Sequence, residues 1–429
     1  MRSTLNLGLA LGVFGVAGYV FVGVVGHTFA DDALAASLGA LTSFYFLTNI
    51  IGPGLFGAIE PETSRAVSAS IALGRPIGPA VGRSVRVAVL LLLGFVVVTV
   101  GLWPVMLSRV LAGDLGLLFA LLVGGVGAAA VYVVRGVLSG TQAYGRYAAT
   151  FYLEGGLRLV VFSAFLAWGV AEPDAFGFAF SLATVVAAAA LIPALPRDRS
   201  STAGDDASGA DQIGRMGRST VQLAVAAVLV QLIANIGPVV VTYRMPDQLL
   251  EAGSFGTAFI LARIPLVLFS PIQALLVPRL SAAAAAGDLA LVRTRITQAV
   301  LVVLAVGLPV VALGTAVGPW FVRVVFNAAA PPQRIVFGLL AVSAVLIMLA
   351  LVLQPALVAL RQQGTVTLAW VVGSVLCVGL LFAPLDPMAA ALVGQLVGPG
   401  AVLAINAFRL RSIFRAGDGR QPAPQAVSR

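Results

Sequence analysis

Twelve apolar stretches run through this chain, and each comes close to the roughly 20 residues a helix needs to cross the hydrocarbon core of a bilayer. In that medium a backbone must satisfy its own N–H and C=O groups, so segments of this length read as helices. They lie near 5–29, 34–59, 87–107, 115–138, 147–170 and 175–195, and then near 219–241, 253–277, 296–321, 335–358, 366–383 and 388–409. Charged residues make up 10% of the chain, against roughly 25% in soluble domains, and the mean hydropathy is +1.03. No water-soluble fold hides that much apolar surface. The expected fold class is an all-α polytopic membrane protein of about twelve transmembrane helices in two six-helix lobes.

The formal charge of +9 could suggest nucleic acid as a partner, but all 26 basic residues are arginines clustered between the apolar runs. With the N-terminus placed in the cytoplasm, 20 of them fall on the inner side. Only Arg109, Arg244, Arg323 and Arg334 fall outside, while Arg158 and Arg263 lie within spans. This is the positive-inside pattern: both termini are expected in the cytoplasm, and nucleic acid is not an expected partner. The run after Arg2 is longer than the roughly 7–15 residues of a signal-peptide core, so it reads as an uncleaved first span. The absence of lysine, with heavy use of Ala, Gly, Val and Arg, is codon usage of a GC-rich genome.

Cys377 has no partner, which excludes a disulfide framework or a cysteine metal site. His27 is the sole histidine, near the outer end of the first span and ahead of Asp31 and Asp32, and reads as interfacial. No Ser/His/Asp set, Gly-Lys phosphate loop or metal cluster can be assembled, so neither cofactor nor metal is expected.

The organisation divides into a first lobe (1–196), a polar linker (197–218), a second lobe (219–415) and a tail (416–429). The linker carries Asp198, Asp205, Asp206 and Asp211 among glycines and serines, and the tail carries Pro422 and Pro424. The halves repeat weakly at an offset of about 217–219 residues. Pro61, Ser64 and Arg65 match Pro278, Arg279 and Ser281; Trp103-Pro104 matches Pro319-Trp320; Leu138-Ser139-Gly140 matches Leu357-Val358-Ala359. Two halves of six spans share one orientation and are related by an axis along the membrane normal.

The loop Arg135-Gly136-Val137-Leu138-Ser139-Gly140-Thr141-Gln142-Ala143-Tyr144-Gly145-Arg146-Tyr147 resembles that of bacterial polysaccharide flippases. So does Leu261-Ala262-Arg263-Ile264-Pro265-Leu266 running on to Val277-Pro278-Arg279-Leu280-Ser281. These belong to the multidrug/oligosaccharidyl-lipid/polysaccharide exporter superfamily, in which two six-helix lobes form a V around a central cavity. The resemblance implies a multi-pass protein of the bacterial cytoplasmic membrane that flips an undecaprenyl-diphosphate-linked glycan by alternating access, with membrane lipids and polysaccharide-assembly proteins as partners. Relatives that flip the peptidoglycan precursor carry two further spans, which favours the O-antigen and capsule branch or an undefined relative. A multidrug exporter of the same superfamily stays open, although organic cations call for acidic cavity groups. A membrane-embedded saccharide polymerase or ligase would need a large external loop, and the external connections here are short.

Intramembrane charges are the candidate site residues, because they are costly unless they face a cavity or a partner. Glu154 and Arg158 are four apart and share one helical face; they read either as a coupling acid and a substrate-binding base, or as an intrahelical ion pair kept for packing. Arg263 lies near the midplane ahead of Pro265, where a guanidinium suits a diphosphate through its bidentate donors. Pairing with Glu154 across the lobes is the alternative for it. Arg135 ranks below these, since it can reach the lipid headgroups. Asn49 beside Gly52-Pro53-Gly54, and Gln231 and Asn235 beside Gly237-Pro238, put amides next to helix breakers in matching positions, where transport sites or interhelical hydrogen bonds occur. Phe44, Tyr45, Phe46, Tyr144, Tyr147 and Tyr152 read as anchors and lipid-facing packing. The expected substrate cavity is one faced by Arg158 and Arg263 together.

Overall fold

The structure, a computed structural model, describes residues 2–29, 34–196, 209–266, 280, 288–327 and 331–418. Among them every regular element is helical, and twelve helices are long and apolar enough to span a bilayer. The first six are α1 (Asn6–Thr28), α2 (Ala36–Ala72), α3 (Gly78–Gly101), α4 (Leu115–Gly140), α5 (Tyr144–Trp168) and α6 (Pro173–Ala194). The second six are α7 (Val225–Arg244), α8 (Leu249–Leu266), α9 (Leu289–Val325), α10 (Arg334–Ala359), α11 (Gln363–Leu381) and α12 (Pro387–Ala416). The end of the bundle where α1 starts is called proximal below, and the opposite end distal.

Several spans are longer than the hydropathy pattern suggests, the second and ninth most of all. The second does not stop near 59: a π-helical stretch, Ile50–Phe56, leads into a further helix, Ile59–Ala72. Pro61 falls in the first turn of that helix, where its missing N–H has no intrahelical acceptor to lose, so the proline starts the segment. The ninth span begins at Leu289, where the Asp288 side chain accepts the N–H of Leu291 at 2.8 Å and caps the helix. Of the linker, 197–208 lie outside the described residues and the chain is helical from Gly209. Asp31, Asp32, the Pro278-Arg279-Ser281 landmark and residues 419–429 also lie outside them.

The two halves are built alike. In the first, α1 packs on α5, α4 lies against α2, α3 and α6, and α5 touches α6. In the second, α7 packs on α11, α10 lies against α8, α9 and α12, and α11 touches α12. Even the backbone repeats. Among the described residues the non-glycine positions with positive φ fall into two pairs: Ala112 with Asn327, in the turns before α4 and α10, and Gln142 with Arg361, in the turns after α4 and α10. Because a left-handed backbone costs a non-glycine residue on the order of 1–2 kcal/mol, its recurrence at equivalent turns marks a shared turn geometry.

The lobes meet through α2, which packs on α7 and α8. Toward the distal end this seam depends on small residues. A Cβ on Gly253 would lie 2.8 Å from Leu38, and one on Gly256 would lie 2.2 Å from Thr42. Phe46 and Phe259 meet edge to face with ring centroids 5.4 Å apart. At the distal tip of α1, a Cβ on Gly26 would sit 2.1 Å from the Phe326 carbonyl oxygen. Past Phe56 the proximal part of α2 turns to α3 and α4 of its own lobe. The seam is therefore tight distally.

Candidate functional site

The first lobe buries three charged side chains in one cluster. On α5, one helical turn brings Arg158 Nη2 to 2.8 Å from Glu154 Oε1. From α4, Arg135 Nη2 approaches the other carboxylate oxygen, Oε2, at 2.7 Å. Thr184 donates to Oε1 at 2.8 Å, Thr150 accepts from Arg135 Nε at 2.9 Å, and the Phe180 carbonyl accepts from Arg158 at 3.2 Å. Aromatic faces close the remainder: Phe151 lies 3.8 Å from the Arg135 guanidinium carbon and Phe180 lies 3.7 Å from that of Arg158. Phe14 of α1 sits within 6 Å of both, delivered by Gly155, whose missing side chain lets the α1 backbone come close. Two guanidinium groups against one carboxylate leave the cluster with one net positive charge.

Arg135 thus departs from the snorkelling expectation, being 3% exposed and turned inward. A buried carboxylate served by one arginine would leave an oxygen unpaired, and that desolvation outweighs what Arg135 would gain at the headgroups. Several aromatics are corrected as well: Phe44 and Phe46 are fully buried. Tyr147 donates to Glu60 at 2.6 Å, which engages a second acidic group of the first lobe.

Beside this cluster lies a cavity of about 70 Å³, lined by Asn49, by Gly52 and Pro53 of the π-helical stretch, and by Tyr132, Glu154, Arg158 and Thr184. Its described walls all come from the first lobe, and they include Arg158 but not Arg263. Each arginine is held by its own lobe.

In the second lobe α8 breaks at Arg263, because Pro265 supplies no N–H to the turn before it. Arg263 lies one helical turn proximal of Phe259, the residue that closes the seam against Phe46, and stacks over the Phe259 ring at 4.5 Å. Its Nη2 donates to Gln395 Oε1 at 2.6 Å, while Nη1 is buried without a partner. Among the described residues no carboxylate forms an ion pair with it, and Glu154 is paired with Arg135 and Arg158 instead. Gln395 is the residue that sequence reasoning missed. Fully buried on α12, it also donates to the Ile233 carbonyl of α7 at 2.8 Å, and so ties the Arg263 turn to the part of α7 before Gly237-Pro238. A glutamine amid an apolar span was the available signal.

The three amides stand where α2 crosses α7. A Cβ on Gly54 would come 3.1 Å from that of Gln231. Their hydrogen bonds stay within their own helices: Asn49 donates to the Tyr45 carbonyl at 2.8 Å, and Asn235 to the Gln231 carbonyl at 2.9 Å. His27 donates likewise to Gly23 at 2.8 Å. Among the described residues no group of His, Cys, Asp and Glu could hold a metal.

No protein-family model and no curated protein matches this sequence. Solved structures do match in fold. An inward-facing multidrug resistance MATE family transporter of the MOP superfamily aligns over 98% of this chain and 100% of its own, with a TM-score of 0.76 and 15% identity. An outward-facing structure of such a transporter reaches 0.63 at 15% identity over 96% of each chain. A MOP superfamily transporter from Pyrococcus furiosus, described by the reverse polarity of its binding pocket, gives 0.60 at 16% identity over 96% of each chain. The chain therefore has the MATE-like transporter fold.

Proposed function

We propose that this protein is an alternating-access transporter of the cytoplasmic membrane that moves an anionic amphiphile, of the lipid-linked diphosphate glycan class, with its proximal face in the cytoplasm. The observation that carries this reading is the state of the charges. Glu154 is consumed by two arginines and Glu60 by Tyr147, whereas Arg263 keeps a buried donor free at a helix break just proximal to the sealed seam. A permanently charged guanidinium with a spare donor suits a phosphate oxygen and repels organic cations. The twenty-to-four arginine asymmetry supports the orientation. A drug exporter of the MATE type shares the fold and remains the second reading, favoured by the structural likeness itself.

The experiment is translocation by the purified protein in liposomes, using a fluorescent polyprenyl-diphosphate saccharide in one arm and ethidium in the other. The expected result is saccharide flipping that Arg263→Gln abolishes and Arg263→Lys restores in part, with no ethidium transport. Ethidium efflux insensitive to Arg263→Gln would establish the drug-exporter reading instead.

A further inference from the structure

The second lobe contains a cavity of about 230 Å³ between α8, α9 and α10. Every described residue that lines it is apolar, from Leu261, Ile264 and Pro265 on α8 to Val310 and Phe321 on α9 and Ala341 on α10. It is separate from the Arg263 site. The Arg263 guanidinium turns toward Gln395 on α12, and Arg263 is not among the residues that line the cavity.

Two glycines of α9 shape the space. At Gly318 the helices touch, since a Cβ there would lie 2.6 Å from Phe337, which closes one end. One turn earlier, at Gly314, the nearest atom would be Ala341 Cβ at 3.9 Å, and the surfaces have parted. The space continues into the outer surface of α9, where Leu313, Val306 and Val317 are exposed alongside Leu301 and Leu308. Water has no hydrogen-bond partner in such a space; an engineered apolar cavity of about 150 Å³ stays dry and takes up benzene. The medium around α9 is hydrocarbon.

We infer that this cavity is a binding site for one acyl chain of a membrane phospholipid, which enters from the bilayer beside α9 and packs against the Pro265 break of α8. The occupant is a bilayer lipid, because the cavity opens onto the lipid-facing surface and its described lining carries no polar group to hold a head. Seated there, the chain braces from outside the same turn that presents Arg263 inside. Only that last link, from lipid to transport, rests on the function proposed above.

The test uses the full chain in vesicles containing a phospholipid with a diazirine at mid-acyl chain, photolysed and mapped by peptide mass spectrometry. Val310 and Phe321 should be labelled several-fold more than Leu308 and Trp320, which lie on the exposed surface of the same helix. Gly314→Leu should bring the cavity residues down to the level of that surface, and Ala341→Leu fills the space from the other wall if Gly314→Leu does not yield monodisperse protein. Equal labelling of both sets in the unmodified protein means ordinary boundary lipid and overturns the site. Arg263→Gln should leave the labelling pattern unchanged, so failure of the anion-anchor reading and failure of the lipid site give different results.

Discussion

At the residue scale the question is what each buried charge would lose if its partner were removed. Glu154 holds two guanidinium groups on two helices, so Glu154→Ala strands both, and breaking a buried pair in this way costs about 3–5 kcal/mol. Thermal unfolding in detergent should show a large fall in midpoint. Arg65 and Glu62 form an exposed pair on α2, and Arg65→Gln should shift the midpoint little, because such pairs contribute about 0–1 kcal/mol. A Glu154→Ala protein as stable as Arg65→Gln would mean the cluster is wet. Arg263→Gln should differ from both: one donor is already unpartnered, so a neutral amide that keeps a bond to Gln395 spares stability while transport is lost. The Glu154 and Arg158 pair was legible because four residues of helix bring both to one face. The Arg135 contact was not, since 19 residues and a turn intervene and nothing local says which face of α4 looks inward.

At the scale of elements, the twelve spans were legible because hydrocarbon leaves a backbone few options, and their ends were not, because proline and glycine have positional meanings that the pattern does not rank. Gly52-Pro53-Gly54 reads as an interruption; the structure resolves it as a π-helical stretch that keeps α2 continuous. One glycine is needed to hold it. A Cβ on Gly57 would stand 2.1 Å from the Pro53 carbonyl oxygen, a backbone atom that cannot move without undoing the stretch. At Gly52, five residues earlier, a Cβ meets no atom within 4 Å. Gly57→Ala should therefore reduce folded yield or shift the conformation of α2, while Gly52→Ala should purify and transport normally. Size-exclusion profiles and translocation rates of the two variants check this, and equal behaviour would show that α2 relaxes to an ordinary helix without loss.

At the scale of the molecule, two lobes of one architecture meet along a seam that is tight at the distal end, with α2 packed on two helices of the opposite lobe. The duplication was faintly legible in the Trp-Pro and Leu-Ser-Gly landmarks; paired left-handed turns and matched helix contacts make it plain. Which end of the seam closes was not legible, because it depends on glycines whose partners lie more than 200 residues away. If the protein works by alternating access, this seam must open in each cycle, and that can be arrested. A Cβ built on Gly39 lies 3.6 Å from the Cβ of Leu249, inside the range of about 3.5–4.5 Å that a disulfide spans. The double variant Gly39→Cys, Leu249→Cys, made with Cys377→Ala to remove the native thiol, should crosslink in high yield under mild oxidation. Translocation should stop on oxidation and return with a reductant, while each single cysteine stays active in both conditions. Undiminished transport by the fully crosslinked protein would mean that the distal seam stays shut throughout the cycle, and alternating access between these lobes would have to be given up.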